Sequence, residues 1–335
     1  MGRCIVSRVL DLLKEKSVGT GDPGPGDPEA RAKWVEGRKA YVGASEVAAV
    51  MGLSPWDGPV GVWMKKTGRK DGHIEGLRLR KGTHMESFIL EEAAEALAVT
   101  VESHPMVLQH PEVPALCCNL DGFAFTPEGT AVVEAKCTNS RNRKALKEWA
   151  AGGRPAPGTS MMCWWVQVQT QLEVSNLDLG YLAVECDGDL FVIEIPRDRM
   201  MGATIADVVG SFWGNVQEDQ MPAPSGADSG ALGELYHQPR PEIESISFDD
   251  MGDALSEYRE VAAKLKELGL KKKELENTLK GAMAWADTAK MGDDIVCTWR
   301  SSERNTVDTA RLKAERPEVY AEFVKTSTSR LFKVR

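Results

Sequence analysis

Several features are missing from this sequence, and each absence narrows the class of protein. No apolar run approaches the ~20 residues that a membrane-spanning helix needs. The seven cysteines include no CxxC pair, which argues against a disulfide framework, structural zinc or an iron–sulfur cluster. Arg8 interrupts the apolar core that a signal peptide would need. We therefore expect a cytoplasmic protein in a reducing compartment, with no membrane association.

An excess of basic residues is also missing. The chain carries 41 Lys and Arg against 50 Asp and Glu, a formal net charge of -9. This balance excludes a uniformly basic protein that coats nucleic acid, but it allows a DNA enzyme whose basic residues line one cleft. With 335 residues, the chain is long enough for one large core and a smaller appendage.

The strongest chemical pattern lies in residues 119–138, NLDGFAFTPEGTAVVEAKCT. It predicts a short strand that ends at Asp121, a tight turn that includes Gly129, and a second strand, AVVEAKC. Because side chains alternate along a strand, Glu134 and Lys136 should project from one face. Two carboxylates and a lysine are thereby expected to meet.

Asp121 and Glu134 would repel each other unless a cation lay between them. Oxygen ligands favour a hard divalent ion, and they suit Mg²⁺ and Mn²⁺ alike. Lys136 would then orient or deprotonate a water and offset phosphate charge. The pattern D-x12-E-x-K resembles the PD-(D/E)xK nuclease motif, with Leu120 in place of the proline. Since an E-x-K pair on a solvated strand is commoner than an active site, the neighbouring segments must decide.

A third carboxylate is predicted on a helix over residues 82–101, where apolar side chains recur at helical spacing. Glu86 lies one turn before Ile89 and Leu90, so it points toward the apolar side. It either makes a buried hydrogen bond or joins Asp121 and Glu134 at the metal. The neighbouring strand motif favours the second role, in which Glu86 is a metal ligand.

Ser45 directly precedes an apolar run, and it predicts the N-cap of a short helix. Ser45 is then either only a cap, with Arg38 only a surface charge, or the two side chains hold a phosphate at the helix N-terminus. Leu79 lies within a run of Lys and Arg residues that suits contact with a DNA backbone. An apolar side chain among cations predicts a wedge between bases.

The chain divides by composition into four segments. The pattern of helices and strands in the second segment, residues 30–221, predicts an α/β core. The pattern in the fourth segment, residues 243–335, predicts a helical hairpin broken near Gly269, then strands at 295–299 and 331–334. The segments are a flexible N-terminal arm over 1–29, with a helix at 4–16 and a Gly/Pro-rich linker at 19–28; a main domain over 30–221; a linker over 222–242; and an α+β C-terminal module over 243–335.

The region from about Arg38 to Trp213 resembles the YqaJ-like viral recombinases, the family that includes phage lambda exonuclease. The resemblance rests on six ordered blocks: GASEVAAVMGLSPW, KGTHMESFILEEAA, NLDGF, VVEAKCT, VQVQTQL and YLAVE. It implies a PD-(D/E)xK restriction-endonuclease-like core, in which helices flank a central mixed β-sheet. It also implies a Mg²⁺-dependent exonuclease that acts 5′-to-3′ on the ends of double-stranded DNA.

The resemblance assigns roles residue by residue. Arg38 and Ser45 fall on the pair that binds the terminal 5′-phosphate, and Asn119 stands where some members have a phosphate-contacting serine. The remaining matches are Glu86, Asp121 and Glu134 as metal carboxylates, the Ala135 carbonyl as main-chain ligand, Lys136 as catalytic lysine, Gln167 as the glutamine near the scissile phosphate, and Leu79 as the wedge.

The resemblance further implies a protein encoded by a phage or prophage, in the cytoplasm of a bacterial host. Some relatives are ring-shaped trimers that work beside a single-strand annealing protein, so a homo-oligomer and such a partner are expected. Two alternatives stay open: a PD-(D/E)xK endonuclease or helicase-associated nuclease, and a non-catalytic module that binds DNA ends or docks a partner. A preference for 5′-phosphorylated ends separates the exonuclease from an endonuclease.

Overall fold

The computed structural model describes residues 17–20, 28–71, 76–103, 106–240, 242–243, 245–326 and 330–334. The chain separates into two compact units, Met1–Tyr236 and His237–Arg335. In the described residues, no helix is both long enough and apolar enough to cross a membrane.

The first unit contains nine strands and eight helices among its described residues. The strands are β1 (Ser17–Thr20), β2 (Val42–Gly43), β3 (Thr100–Glu102), β4 (Met106–Gln109), β5 (Leu116–Asn119), β6 (Gly122–Thr126), β7 (Gly129–Thr138), β8 (Leu179–Cys186) and β9 (Asp189–Pro196). The helices are α1 (Pro28–Gly37), α2 (Ala44–Val50), α3 (Pro59–Lys66), α4 (Leu77–Leu97), α5 (Arg143–Ala150), α6 (Ser160–Ser175), α7 (Arg199–Gln217) and α8 (Ser229–Leu235).

A five-stranded mixed sheet forms the centre of this unit, in the order β3-β6-β7-β8-β9. Strands β6 and β7 form a hairpin whose turn contains Gly129, as predicted, at φ +147°. The strand predicted to end at Asp121 corresponds to β5, which ends at Asn119, and the separate strand β6 was not predicted. Strand β8 runs parallel to β7, and the crossover between them passes through α5 and α6. Strands β8 and β9 form a hairpin that turns at Asp187 and Gly188, both at positive φ. The predicted mixed α/β core flanked by helices is confirmed.

The two faces of this sheet bury different cores. On one face, Val133, Ala135 and Ala183 pack with Ile89 and Ala93 of α4. On the other face, alternate residues of β7 and β8 join the larger core together with α6, through Val132, Leu182, Val184, Val168 and Leu172. Strand alternation therefore places Glu134 and Lys136 on the α6 side, as the sequence predicts.

A second, four-stranded sheet has the order β1-β4-β5-β2. Strand β1 pairs antiparallel with β4, so part of the predicted arm is a paired strand. The rest of that arm, 1–16 and 21–27, lies outside the described residues, as does the predicted helix at 4–16. Strand β2 pairs parallel with β5 at Val42 and Gly43, which places the start of α2 beside the chain that leads to Asp121.

Helix α4 differs from the prediction over 82–101. It begins at Leu77 and ends at Leu97, where Ala98 adopts a left-handed conformation, and Thr100 already belongs to β3. The β-branched residues Val99, Thr100 and Val101 favour a strand, and this preference ends the helix earlier than apolar periodicity indicates.

The predicted linker over 222–242 contains a helical turn at Gly226–Asp228 and α8. Asp228 is fully buried, and its Oδ1 accepts a hydrogen bond from the Gly61 N–H of α3 at 3.0 Å. Its Oδ2 accepts from the Ser225 N–H at 2.7 Å. This part of the range therefore packs into the first unit, which ends at Tyr236.

The second unit contains α9 (Gly252–Met283), β10 (Thr288–Met291), β11 (Asp294–Thr298), α10 (Thr309–Glu315) and α11 (Pro317–Phe323). The predicted hairpin broken near Gly269 is wrong, because α9 continues through Gly269 as one 32-residue helix. A single glycine costs a helix only about 1 kcal/mol, and strong helix formers surround it. The strand predicted at 295–299 corresponds to β11. Residues 330–334 are not a strand.

Candidate active site

The candidate site begins where the pairing between β6 and β7 ends. Regular pairing stops where Gly122 lies opposite Val133. Beyond this point the Ala135 N–H donates to Asp121 Oδ2 at 2.9 Å, so a side chain takes the place of the neighbouring strand. Since the N–H and C=O of one strand residue point to the same edge, the Ala135 carbonyl faces the Asp121 side as well.

Glu134 is 1% exposed, and both of its carboxylate oxygens accept hydrogen bonds. Oε1 accepts from Lys136 Nζ and from Gln167 Nε2, the latter at 2.5 Å. Oε2 accepts from Gln171 Nε2 at 2.5 Å. The same Gln171 nitrogen donates to the Asn119 carbonyl at 3.0 Å, so α6 connects the end of β5 to β7.

The charges at this place perturb one another. Burial raises the pKa of Asp121 well above its usual range, and the nearby Glu134 and Glu86 carboxylates raise it further. Burial favours the neutral form of Lys136, but Glu134 and Asp121 outweigh this effect and raise its pKa. Lys136 is therefore a cation at neutral pH, although its side chain is only 24% exposed.

One cavity of about 820 Å³ collects most of the predicted residues. Helix α4 contributes Glu86, which the strand motif predicted as a third carboxylate. We call Glu86, Asp121, Glu134 and Lys136 the carboxylate end of this cavity. Arg38, Ser45, Asn119, Asp121, Glu134, Ala135, Lys136 and Gln167 line the cavity together with Glu86.

The donors of the carboxylate end fit a hard divalent ion. They are the oxygen atoms of three carboxylates. With the one lysine counted, a formal charge of −2 remains. The raised pKa of Asp121 records the repulsion that a cation would relieve. Among the described residues, no three His, Cys, Asp or Glu side chains are already gathered around a metal position. Glu134 instead satisfies its oxygens through Lys136, Gln167 and Gln171.

Arg38 and Ser45 meet at another part of the same cavity. Arg38 Nη2 donates to Ser45 Oγ at 3.2 Å, and its guanidinium lies 5.0 Å from the centre of the Trp34 ring. The predicted N-cap at Ser45 is wrong, because α2 begins at Ala44 with Gly43 as its N-cap. The Glu46 carboxylate accepts from the Gly43 N–H at 2.9 Å, and this bond leaves the Ser45 hydroxyl available to Arg38.

Lys66 and Glu46 complete this cluster. Lys66 Nζ donates to Glu46 Oε2 and to the Arg38 carbonyl, both at 2.8 Å. We call Arg38, Ser45, Glu46 and Lys66 the arginine end of the cavity; Arg38 and Ser45 line it, and Glu46 and Lys66 contact Arg38 from behind. The predicted wedge residue, Leu79, lies in the first turn of α4, and its side chain is outside the described set.

Sequence reasoning did not include Gln171, Glu46 or Lys66 among the site residues. For Gln171 a signal existed, because it follows Gln167 by four residues and so lies on the same side of α6. Glu46 could be read only as a residue of the first helical turn. Lys66 was one of several lysines, and no local pattern distinguishes it.

Comparison with known proteins finds a family domain that is similar to the region carrying these residues. Residues 33–178 match the model of the YqaJ-like viral recombinase domain. Over 317 residues the chain is 28% identical to the uncharacterized protein YqaJ of Bacillus subtilis strain 168, covering 91% of this chain and 94% of that protein.

Two crystal structures of LHK-Exo are also similar to the chain. The complex with dAMP has a TM-score of 0.45 at 20% identity, and covers 56% of this chain and 93% of that one. The second is described as an alkaline exonuclease from Laribacter hongkongensis, and has a TM-score of 0.44 at 18% identity over the same shares. The range that matches the family model includes every residue of the carboxylate and arginine ends. Residues 33–178 of this chain are therefore similar to the YqaJ-like viral recombinase domain.

Proposed function

We propose that this chain is a divalent-metal-dependent exonuclease that degrades one strand of linear double-stranded DNA in the 5′-to-3′ direction. Its products are 5′-mononucleotides and a 3′ single-stranded tail, which serves phage-type recombination by strand annealing. The observation that carries the proposal is that one cavity contains both the carboxylate end and the arginine end. One end suits a metal and the other suits a phosphate.

The carboxylate end supplies the hydrolysis. Asp121, Glu134 and Glu86, with the Ala135 carbonyl, are the groups that would hold Mg²⁺ or Mn²⁺. A divalent ion there would polarise the scissile phosphate and provide a hydroxide near neutral pH. Lys136, a cation in this environment, orients the attacking water and offsets the negative charge that develops on the phosphate.

Helix α6 keeps these groups in place. Gln167 and Gln171 both donate to Glu134, and Gln171 also holds the Asn119 carbonyl two residues before Asp121. Gln167 also lines the cavity, which supports its proposed role near the scissile phosphate. The two catalytic carboxylates are thereby held on one rigid frame.

The arginine end accounts for the direction of digestion. A guanidinium and a hydroxyl 3.2 Å apart present several donors to the oxygens of a terminal 5′-phosphate. Asn119 lines the same cavity, which supports its proposed contact with a phosphate. An endonuclease has no terminal phosphate to bind, and a non-catalytic module has no use for Lys136 beside two carboxylates. These residues therefore favour the exonuclease over both alternatives.

The family relationship supports the biological setting. A viral recombinase domain fits a phage or prophage enzyme of the bacterial cytoplasm that prepares tails for a single-strand annealing protein. A homo-oligomer, such as a ring-shaped trimer, would keep the enzyme on one DNA end.

The test is digestion of duplex DNA with Mg²⁺ or Mn²⁺, on 5′-phosphorylated linear, 5′-hydroxyl linear and closed circular substrates. We expect mononucleotides from linear DNA, faster release from phosphorylated ends, no cleavage of circles, and no cleavage by Lys136→Ala. The control is Lys33→Ala, an exposed lysine of α1 that pairs with Glu29. Cleavage of circles would establish the endonuclease instead. Binding without cleavage in either metal would establish the non-catalytic module.

A further inference from the structure

Lys66 is a buried lysine whose charge the proposed reaction does not use. Its side chain is 2% exposed, at the C-terminal end of α3. Its ammonium donates to Glu46 Oε2 and to the Arg38 carbonyl, each at 2.8 Å. Burial lowers the pKa of Lys66, against the opposing effect of Glu46. A buried ammonium is costly, so these contacts call for a reason.

Glu46 stands between two cations and the backbone. Its Oε2 lies 2.8 Å from Lys66 Nζ, 3.4 Å from Arg38 Nη2 and 2.9 Å from the Gly43 nitrogen that donates to it. If Lys66 were neutral, Glu46 would have Arg38 as its one cationic partner among these contacts. The guanidinium charge would then be cancelled inside the protein.

With Lys66 present, two cations share one carboxylate, so the cluster keeps a formal charge of +1. The exposed part of this charge is on Arg38, whose side chain is 25% exposed and lines the cavity, whereas the Lys66 side chain is buried. The Lys66 bond to the Arg38 carbonyl also fixes the backbone from which the guanidinium extends.

We propose that Lys66 and Glu46 are positioning residues for the 5′-phosphate site: Lys66 compensates Glu46, so Arg38 keeps its charge and its orientation for the terminal phosphate. This inference rests on the proposed function and adds to it the residues that set the preference for phosphorylated ends. In the competing account, the Lys66–Glu46 pair only holds α2 against α3.

Two variants separate these accounts by charge. Lys66→Met removes the ammonium and leaves Arg38 facing Glu46 with a formal charge of zero. The double variant Glu46→Gln with Lys66→Met removes both partners and returns the cluster to +1. A role in packing alone predicts that the double variant behaves no better than the single one. The matched control is Lys65→Met, which removes the neighbouring lysine that pairs with Asp57 at 2.6 Å.

Affinity for duplexes with 5′-phosphate and 5′-hydroxyl ends is measured by fluorescence anisotropy in EDTA, and kcat/KM for both in Mg²⁺. We expect Lys66→Met to reduce the preference for phosphorylated ends about tenfold, through KM, because it weakens a charge-assisted contact. The double variant should recover most of this preference, and Lys65→Met should match the wild type. Circular dichroism establishes that each variant is folded.

The inference is overturned if folded Lys66→Met keeps the wild-type preference, or if the double variant is no better than the single one. The binding arm distinguishes this failure from failure of the proposed function. A wild-type protein that digests DNA while Lys66→Met is unaffected refutes only the positioning role. A wild-type protein that prefers phosphorylated ends but never cleaves refutes the nuclease, and the positioning role is still decided by binding. If the wild type has no preference in either arm, the positioning role fails, and cleavage of linear DNA still decides the nuclease.

Discussion

The two ends of the cavity are built on the same pair but differ in sign. Each centres on a carboxylate that accepts from a lysine, Glu134 from Lys136 and Glu46 from Lys66. Two further carboxylates leave the carboxylate end at a formal −2, whereas one further cation leaves the arginine end at +1. Surplus charge, rather than the ion pair itself, decides what each end attracts. A metal suits the first end and a phosphate suits the second.

The largest effect should come from breaking the carboxylate end alone. Glu134→Gln keeps the shape but removes a charge that orients Lys136 and a metal. We expect a loss of about 1000-fold in the rate of cleavage. Binding to 5′-phosphorylated ends in EDTA should be kept, because Arg38 is unchanged. Glu148→Gln, at an exposed glutamate of α5, is the control. Equal loss of binding and cleavage would mean that the two ends do not act separately.

The next effect concerns stability at the arginine end. Glu46→Gln leaves Lys66 buried without a charged partner, so the free energy of unfolding should fall by about 3 kcal/mol at pH 7. Glu36→Gln removes a surface pair with Lys39 and should cost less than about 1 kcal/mol. Urea titration measures both differences. Similar small losses would show that the buried pair contributes little.

The stability difference for Glu46 should depend on pH with a defined sign. Burial raises the pKa of Glu46, but Lys66 and Arg38 together hold it below the ordinary value of 4.5. A carboxylate with a lowered folded pKa stabilises the protein above its unfolded pKa and loses this effect as the pH falls through the folded value. The gap between wild type and Glu46→Gln should therefore shrink below about pH 4.5. A gap that widens there would contradict this assignment.

A smaller effect is expected from removing the phosphate contact. Arg38→Gln should reduce the preference for phosphorylated over hydroxyl ends about tenfold, since it removes one charge-assisted contact. The rate on hydroxyl ends should change little, because the carboxylate end is intact. Comparison of kcat/KM on both substrates measures the difference. Arg199→Gln, on an exposed arginine that pairs with Asp178, is the matched control.

A milder change at the same end is Gly43→Ala. A Cβ at this position would lie 3.0 Å from Arg38 Nη2, so the guanidinium must move by a few tenths of an ångström. The backbone φ of −80° accepts alanine, and no strain arises there. We expect a few-fold lower preference for phosphorylated ends and an unchanged rate on hydroxyl ends. A preference equal to that of the wild type would show that Arg38 tolerates displacement.

The smallest effect on cleavage should come from deleting residues 237–335. Among the described residues, every buried side chain lies within residues 42–231, and the second unit contributes none. The first unit therefore carries its own core. We expect the truncated protein to cleave single turnovers of linear DNA at nearly the rate of the full chain, in a rapid-quench assay. A large loss would assign the second unit a part in the reaction.

Local patterns were enough to predict the strand AVVEAKC and the turn before it. The alternation of AVVEAKC placed Glu134 and Lys136 on one face, because a strand has a period of two residues whatever packs against it. The turn at Gly129 and the later turn at Asp187 and Gly188 also follow from local preference. These elements needed no knowledge of distant partners.

Some element ends and partners depended on side-chain contacts that the sequence patterns did not predict. The N-cap of α2 is Gly43 rather than Ser45, since the Glu46 side chain reaches the Gly43 N–H. The linker predicted from Pro and Gly content contains Asp228, whose burial depends on Gly61, 167 residues away. No short window of sequence contains both Gly61 and Asp228.

The sequence by itself therefore determined the chemistry: which carboxylate and which lysine lie on one strand, and which family the motifs resemble. Tertiary packing determined where the other side chains of the site lie. It brought Glu86 from α4 to the cavity, directed Gln171 onto Glu134, and selected Lys66 from a run of lysines to share Glu46 with Arg38. The reason is that side-chain alternation is a property of a few adjacent residues, whereas burial and charge pairing are properties of the whole fold.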